Sequence, residues 1–231
     1  MRADTLAAAR ELDRPDVAYI VPFEGPEGVD DHRITWADLD RDAAWAEHRL
    51  KDLGLGTGDT VLLTFSGFEG PWLRPLIDAS RRIGMTYGIA EAMGWDHGRT
   101  RVFQRQLDLK AVIGLSAATV EGLATTAALD DVFRDVPVVL ARPDAARVLR
   151  AAGVAAGVFA LLGPALALEC AQRQGAHVDA TQWQLSEESD GLAIRGVGER
   201  TAGRGRIVVP GKARIVTEPC ACGSGDPRVL L

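Results

Sequence analysis

The sequence is short of cysteine, of uninterrupted apolar runs and of clustered positive charge. Its three cysteines, in 231 residues, all fall after Glu169, too few and too confined to staple the whole chain. Hydrophobic residues, 47% of the total, must therefore build the core without disulfides. The longest apolar run, Val154 to Leu168, is broken by Gly157, Gly163 and Pro164. It reads as a buried strand, a loop and a further element, because a membrane span needs ~20 apolar residues. Met1 to Arg14 alternates charges with alanines and has no apolar signal-peptide core. Arginines are scattered among acids, and the formal net charge is −6. Nucleic acid and membrane are therefore not expected as partners. These absences point to a cytoplasmic protein, where reduced thiols ligate metal in preference to pairing.

What is present is an alternation of elements. Residues 1–33 hold a short helical stretch, Thr5 to Leu12, an apolar segment, Val17 to Phe23, and an acidic, turn-rich loop, Glu24 to Asp31. Beyond Ile34, periodicity predicts helices over Trp36–Leu53, Pro71–Ile83, Gly98–Leu107, Ala117–Ala124 and Pro143–Ala152. Thr35 caps the first, and Gly54 and Gly84 close the first two. Between them, strands are expected over Thr60–Phe65, Met85–Ala90, Ala111–Leu115, Val136–Leu140 and Val154–Leu162. This order implies βαβ units, hence an α/β fold whose parallel sheet carries helices on both faces. After Pro164 the β-like segments are short: His177–Ser186, Gly191–Val197, Arg206–Val209 and Ala213–Thr217. Their connections are too brief for crossovers, so an antiparallel β tail follows. The expected organisation is an N-terminal segment 1–33, an α/β domain 34–165 and a β-rich metal-binding subdomain 166–231.

Cys170, His177, Cys220 and Cys222 are the candidate metal ligands. In an extended Cys220-Ala221-Cys222 segment both thiolates face one side, and Gly223 lets the chain bend beyond them. Three thiolates and an imidazole complete a tetrahedron with no open position, the pattern of a structural zinc site. The spacing is not that of a standard zinc finger, so three buried free thiols beside a surface histidine remain an alternative.

The stretch Gly163-Pro164-Ala165-Leu166-Ala167-Leu168-Glu169-Cys170, with Gly175-Ala176-His177-Val178-Asp179, resembles the phenylacetate–CoA ligase branch of the adenylate-forming enzymes. The ending Pro219-Cys220-Ala221-Cys222-Gly223-Ser224-Gly225-Asp226-Pro227-Arg228 is similar to that branch as well. Weaker likeness covers Leu53 to Val61, Arg82 to Thr86 and Gln104 to Ala111. The resemblance implies that the Cys3His set holds zinc. It also implies ancestors that activate a carboxylate with ATP and pass the acyl group to coenzyme A.

The departures from that family concern ATP. Where a Ser/Thr/Gly-rich phosphate loop belongs, just before Ile34, the chain has Glu24, Glu27, Asp30 and Asp31 and no serine or threonine back to Val17. Four carboxylates repel a triphosphate. Val158-Phe159-Ala160-Leu161-Leu162 stands where the resemblance expects a Tyr-Gly-x-Ser/Thr-Glu motif, so Ala160 replaces the Mg²⁺-holding glutamate. The segment carrying a ribose-binding Asp belongs between Val209 and Cys220, and the ten residues there include no Asp. The C-terminal domain with its catalytic Lys is not in the sequence. ATP and Mg²⁺ are therefore not expected as cofactors, and the chain reads as a truncated, non-adenylating pseudoenzyme.

Ligands of open α/β sheets sit beyond the carboxyl ends of the strands. Two loops there are chemically marked. Ser66 to Trp72 carries Phe68 and Trp72, and Glu91 to Arg99 carries Trp95 with Glu91, Asp96 and His97. Phe68, Trp72 and Trp95 are the candidate ligand-binding residues, for a small acyl or aryl molecule. Glu91, Asp96 and His97 are the candidate acid–base residues, should ATP-independent chemistry occupy the same place. If the aromatics instead form an exposed patch, a protein partner or a second copy of the chain is the expected occupant.

Overall fold

The structure, a computed structural model, describes residues 16–25, 28–189 and 191–231. The helix expected at Thr5–Leu12 lies outside the described residues. The first elements form a hairpin, β1 (Val17–Gly25) paired antiparallel with β2 (Gly28–Thr35). Most of the segment read as an acidic loop is thus strand, with Phe23 paired to Asp30, Glu24 to Val29 and Gly25 to Gly28. Thr35 then caps α1 (Trp36–Asp52) through a capping box: its hydroxyl accepts Asp38 N–H, and the Asp38 carboxylate accepts Thr35 N–H.

The α/β alternation follows with boundaries within a few residues of expectation. In order come β3 (Thr60–Thr64), α2 (Gly70–Ile83), β4 (Thr86–Ala90), α3 (His97–Gln106), β5 (Leu109–Leu115) and α4 (Ala117–Ala124). Then come α5 (Leu129–Phe133), β6 (Val138–Ala141), α6 (Pro143–Ala151) and β7 (Ala156–Leu162). The short α5 was not anticipated. Strands β3 to β7 are parallel in the order 7-6-5-3-4. Helices cover both faces. Leu50, Leu76, Ala79 and Ile83 of α1 and α2 pack with Val61, Leu63 and Ile113 on one side. On the other, Val120, Leu123, Val132 and Leu149 of α4, α5 and α6 pack with Leu62, Val112 and Val139. A buried leucine contributes ~1.5–3 kcal/mol, so these two layers carry the fold.

The chain after Pro164 does more than form a separate tail. Gly163-Pro164 reverses it directly, so that β8 (Ala165–Glu169) pairs antiparallel with β7, Phe159 opposite Leu168. Next to β8 lies β9 (Ala176–His177), and then the closing pair β14 (Arg228–Leu230) and β13 (Arg214–Val216). The result is one nine-stranded mixed sheet, β13-β14-β9-β8-β7-β6-β5-β3-β4. Strands β10 (Trp183–Glu188), β11 (Gly191–Gly196) and β12 (Ile207–Pro210) form a second antiparallel sheet. Its link to α1 is a buried ionic contact. Arg200 is 1% exposed, grips both oxygens of Asp42 at 2.6 and 2.8 Å, and lies 3.9 Å above the Trp183 ring.

Candidate metal centre and the carboxyl-end loops

The antiparallel end of the large sheet gathers the four candidate ligands. Cys170 immediately follows β8; its carbonyl accepts Arg173 N–H at 3.1 Å, which starts the loop back to β9. His177 ends β9, fully buried, opposite Leu168 on one side and Arg228 on the other. Cys220 and Cys222 do not converge through an extended segment. They sit in a turn closed by Gly223 N–H on the Cys220 carbonyl at 2.9 Å, and Gly223 takes φ +88°. Gly175 faces β14 so closely that a Cβ there would lie 2.8 Å from Leu230.

The ligand atoms lie within 4.8 Å of one another. Cys170 Sγ is 3.7 Å from Cys220 Sγ, and Cys222 Sγ is 3.5 Å from His177 Nε2. A tetrahedral ion bonded at about 2.3 Å to sulfur and 2.0–2.1 Å to nitrogen spaces its ligands about 3.8 Å (S to S) and about 3.6 Å (S to N). The group could therefore hold a metal ion with little rearrangement. Burial pushes the Cys170 thiol up to about 12, and the neighbouring Cys220 and Cys222 sulfurs add to the shift. Burial, followed by the charge of Arg49, pushes His177 down, which keeps its imidazole neutral as ligation requires.

A second layer fixes these residues. Glu169, 3% exposed, accepts Gly175 N–H at 3.0 Å, Val158 N–H at 2.8 Å and the Arg150 guanidinium at 2.7 Å. It thus ties the Cys170–His177 loop to β7 and α6. On the other side, Asp226 accepts the Trp45 indole N–H at 2.9 Å and joins the cysteine loop to α1.

The carboxyl-end loops are arranged differently from expectation. Phe68 and Trp95 are each 72% exposed, whereas Trp72 is 9% exposed and sits in the core, edge-on to Phe23 at 5.8 Å. The three aromatics therefore do not share one environment. Asp96 is buried, accepts Glu91 N–H at 2.8 Å and pairs with Arg99 at 3.3 Å. His97 Nδ1 meets the Gly94 carbonyl at 2.7 Å. Asp96 and His97 each bind the local backbone, and no hydrogen bond between them is found among the described residues. Glu69, which sequence reasoning passed over, is 3% exposed, accepts Ser66 N–H at 2.7 Å and pairs with Arg142 at 2.7 Å. Its only sequence signal was its position three residues after Ser66 at a helix start. His32 lies half-buried in β2 and accepts Gly203 N–H at 3.3 Å.

A mixed nine-stranded α/β sheet ending in a Cys3His cluster defines the structural class. No family model matches the sequence, and no curated protein matches it. Solved structures do. 2-Hydroxyisobutyryl-CoA ligase in the postadenylation state with R3-HIB-AMP aligns with TM-score 0.65 at 12% identity, over 97% of this chain and 54% of that one. An open conformation of the same ligase with 2-HIB-AMP and CoA gives 0.65 at 14%, over 93% and 52%. Apo MbtA of Mycobacterium smegmatis gives 0.60 at 12%, over 95% and 47%. The chain shares the fold of these structures and spans about half the length of each. Among the described residues no helix is long and apolar enough to cross a membrane.

Proposed function

We propose that this chain is a zinc-stapled, non-adenylating protein of the phenylacetate–CoA ligase-like branch that works by binding a protein partner. The observation carrying the reading is the pair Phe68 and Trp95, both 72% exposed on neighbouring loops. Those loops leave adjacent parallel strands, with Thr64 in register with Ala90, and Phe65 N–H joins the Ala90 carbonyl at 3.0 Å. Exposed aromatics on neighbouring loops favour a protein contact over solvent. The polar groups around them, Glu69, Asp96 and His97, are already engaged in holding the loops.

The loss of adenylation rests on residue types. Ala160 is 4% exposed and faces Ala167 across β7 and β8, so its side chain offers no oxygen to Mg²⁺. The sequence carries Glu24, Glu27, Asp30 and Asp31 where the resemblance expects phosphate-binding hydroxyls. Zinc is the metal that suits a closed set of three thiolates and one imidazole.

The test has two arms. The purified chain is expected to show no ATP–pyrophosphate exchange with any acyl or aryl acid; robust exchange would restore the ligase reading. A photo-crosslinking residue at position 95 is expected to give one discrete protein adduct in its native cells. Absence of an adduct, together with a tryptophan fluorescence change on adding aryl acids, would make a small ligand the occupant instead.

A further inference from the structure

Two buried arginines lie near the Cys3His cluster, and among the described residues neither forms an ion pair with a buried carboxylate. Arg228 is 5% exposed, and its guanidinium donates to the Gln174 carbonyl at 3.1 Å and the Glu218 carbonyl at 2.9 Å. It also donates to the Gln174 side-chain Oε1 at 3.3 Å; all three acceptors are neutral, and no carboxylate pairs with Arg228 among the described residues. Its Nε is sealed from solvent with no acceptor. Arg49 is 8% exposed and reaches Asp52, itself 34% exposed, with one nitrogen at 2.7 Å. Its Nε and Nη1 are likewise sealed and unpaired. A buried guanidinium held only by carbonyls is costly unless a negative charge stands nearby.

The cluster supplies that charge once loaded. Three thiolates and a neutral imidazole around a divalent ion leave a net charge of −1. Arg228 is placed for this role, in register with His177 across β9 and β14. Its two carbonyl contacts also lie on the two ligand-bearing loops, Gln174 before His177 and Glu218 before Cys220. Arg49 lines a cavity together with Asp179, two residues after His177, and Asp226, four residues after Cys222.

We propose that Arg228 and Arg49 are the counter-charges of the metal–thiolate centre, so that the anionic loaded site and the two guanidiniums stabilise each other inside the protein. This rests on the reading that the cluster binds a divalent cation. Both are positioning residues, since neither ligates. The guanidiniums favour deprotonated, metal-bound sulfur over free thiol, and so make retention of the ion depend on positive charge outside its ligand shell.

The experiment loads the full chain with Zn²⁺ or Co²⁺ and measures affinity by competition with a chromophoric chelator. Arg228→Gln and Arg49→Gln are each expected to weaken binding about 10–100-fold. Arg228→Lys, which keeps the charge, should recover most of that loss. The Co²⁺ absorption bands, which report the ligands and their tetrahedral geometry, should be unchanged in all three. Gln variants that bind like the parent overturn the proposal. So does a lysine variant as weak as the glutamine one with altered Co²⁺ bands, which would make Arg228 only a mechanical clamp. If Arg228→Gln does not fold, Arg49→Gln decides alone. A parent chain that binds neither ion overturns the metal reading itself, and the proposal with it.

Discussion

Glu169 holds the ligand loop, the parallel sheet and α6 together, so its removal is a quantitative test of the packing around the centre. In Glu169→Ala, two backbone donors, Val158 N–H and Gly175 N–H, lose their acceptor where little water reaches. Each unsatisfied donor costs ~1–3 kcal/mol. The Arg150 pair adds little, below ~1 kcal/mol, because that guanidinium is 42% exposed and returns to solvent. The expected total is ~4 kcal/mol, a drop in melting temperature of about 10 °C for a chain of this size. Glu169→Gln keeps one acceptor oxygen and should lose roughly half as much. Urea unfolding followed by tryptophan fluorescence measures both, with and without chelator. The Val158 share belongs to the main sheet and should persist after chelation, whereas the destabilisation from Cys220→Ser should vanish. A Glu169→Ala protein within ~0.5 kcal/mol of the parent would refute the reasoning.

Two further perturbations probe the links to α1. Arg200→Met leaves the Asp42 carboxylate without its partner and should cost ~3–5 kcal/mol in urea unfolding. Adding Asp42→Asn should recover part of that loss, and strict additivity of the two would contradict the pairing. Asp38 is fully buried, and burial raises its pKa. The N–H groups of Thr35 and Thr201 and the charges of Arg200 and Arg41 outweigh that and hold it below the ordinary range. A depressed carboxyl contributes stability that is present above its unfolded value, ~3.9, and is lost as pH falls through the folded one. Parent stability should therefore fall below about pH 4 more steeply than that of Asp38→Asn. Parallel acid profiles for the two proteins would show that Asp38 is not the group responsible.

Much of the fold was legible because local chemistry and tertiary structure agree. Thr35, Pro71, Gly84 and the apolar runs marked their helices and strands with small boundary errors. Gly163-Pro164 misled because a two-residue reversal and a break between units carry the same residues; only pairing shows that β8 joins the same sheet. The acidic hairpin was hidden by its polar residues and by the sequence Gly25-Pro26-Glu27-Gly28, which suppress the strand pattern on either side. Trp72 could have been placed correctly: with Leu76, Ala79 and Ile83 it lies on the buried stripe of α2, and helical spacing outranks its nearness to a strand end. That Cys170, His177, Cys220 and Cys222 gather in one cluster was legible from residue type. The burial of Arg49 and Arg228 near it was not, since nothing in sequence distinguishes a buried arginine from a solvated one.

Metal analysis of the purified chain, paired with thiol titration under native conditions, bears most directly on the whole reading. Close to one zinc per chain is expected, with all three thiols unreactive until a chelator is added. Well under half an equivalent of metal, with three freely titrating thiols in the folded protein, would contradict it.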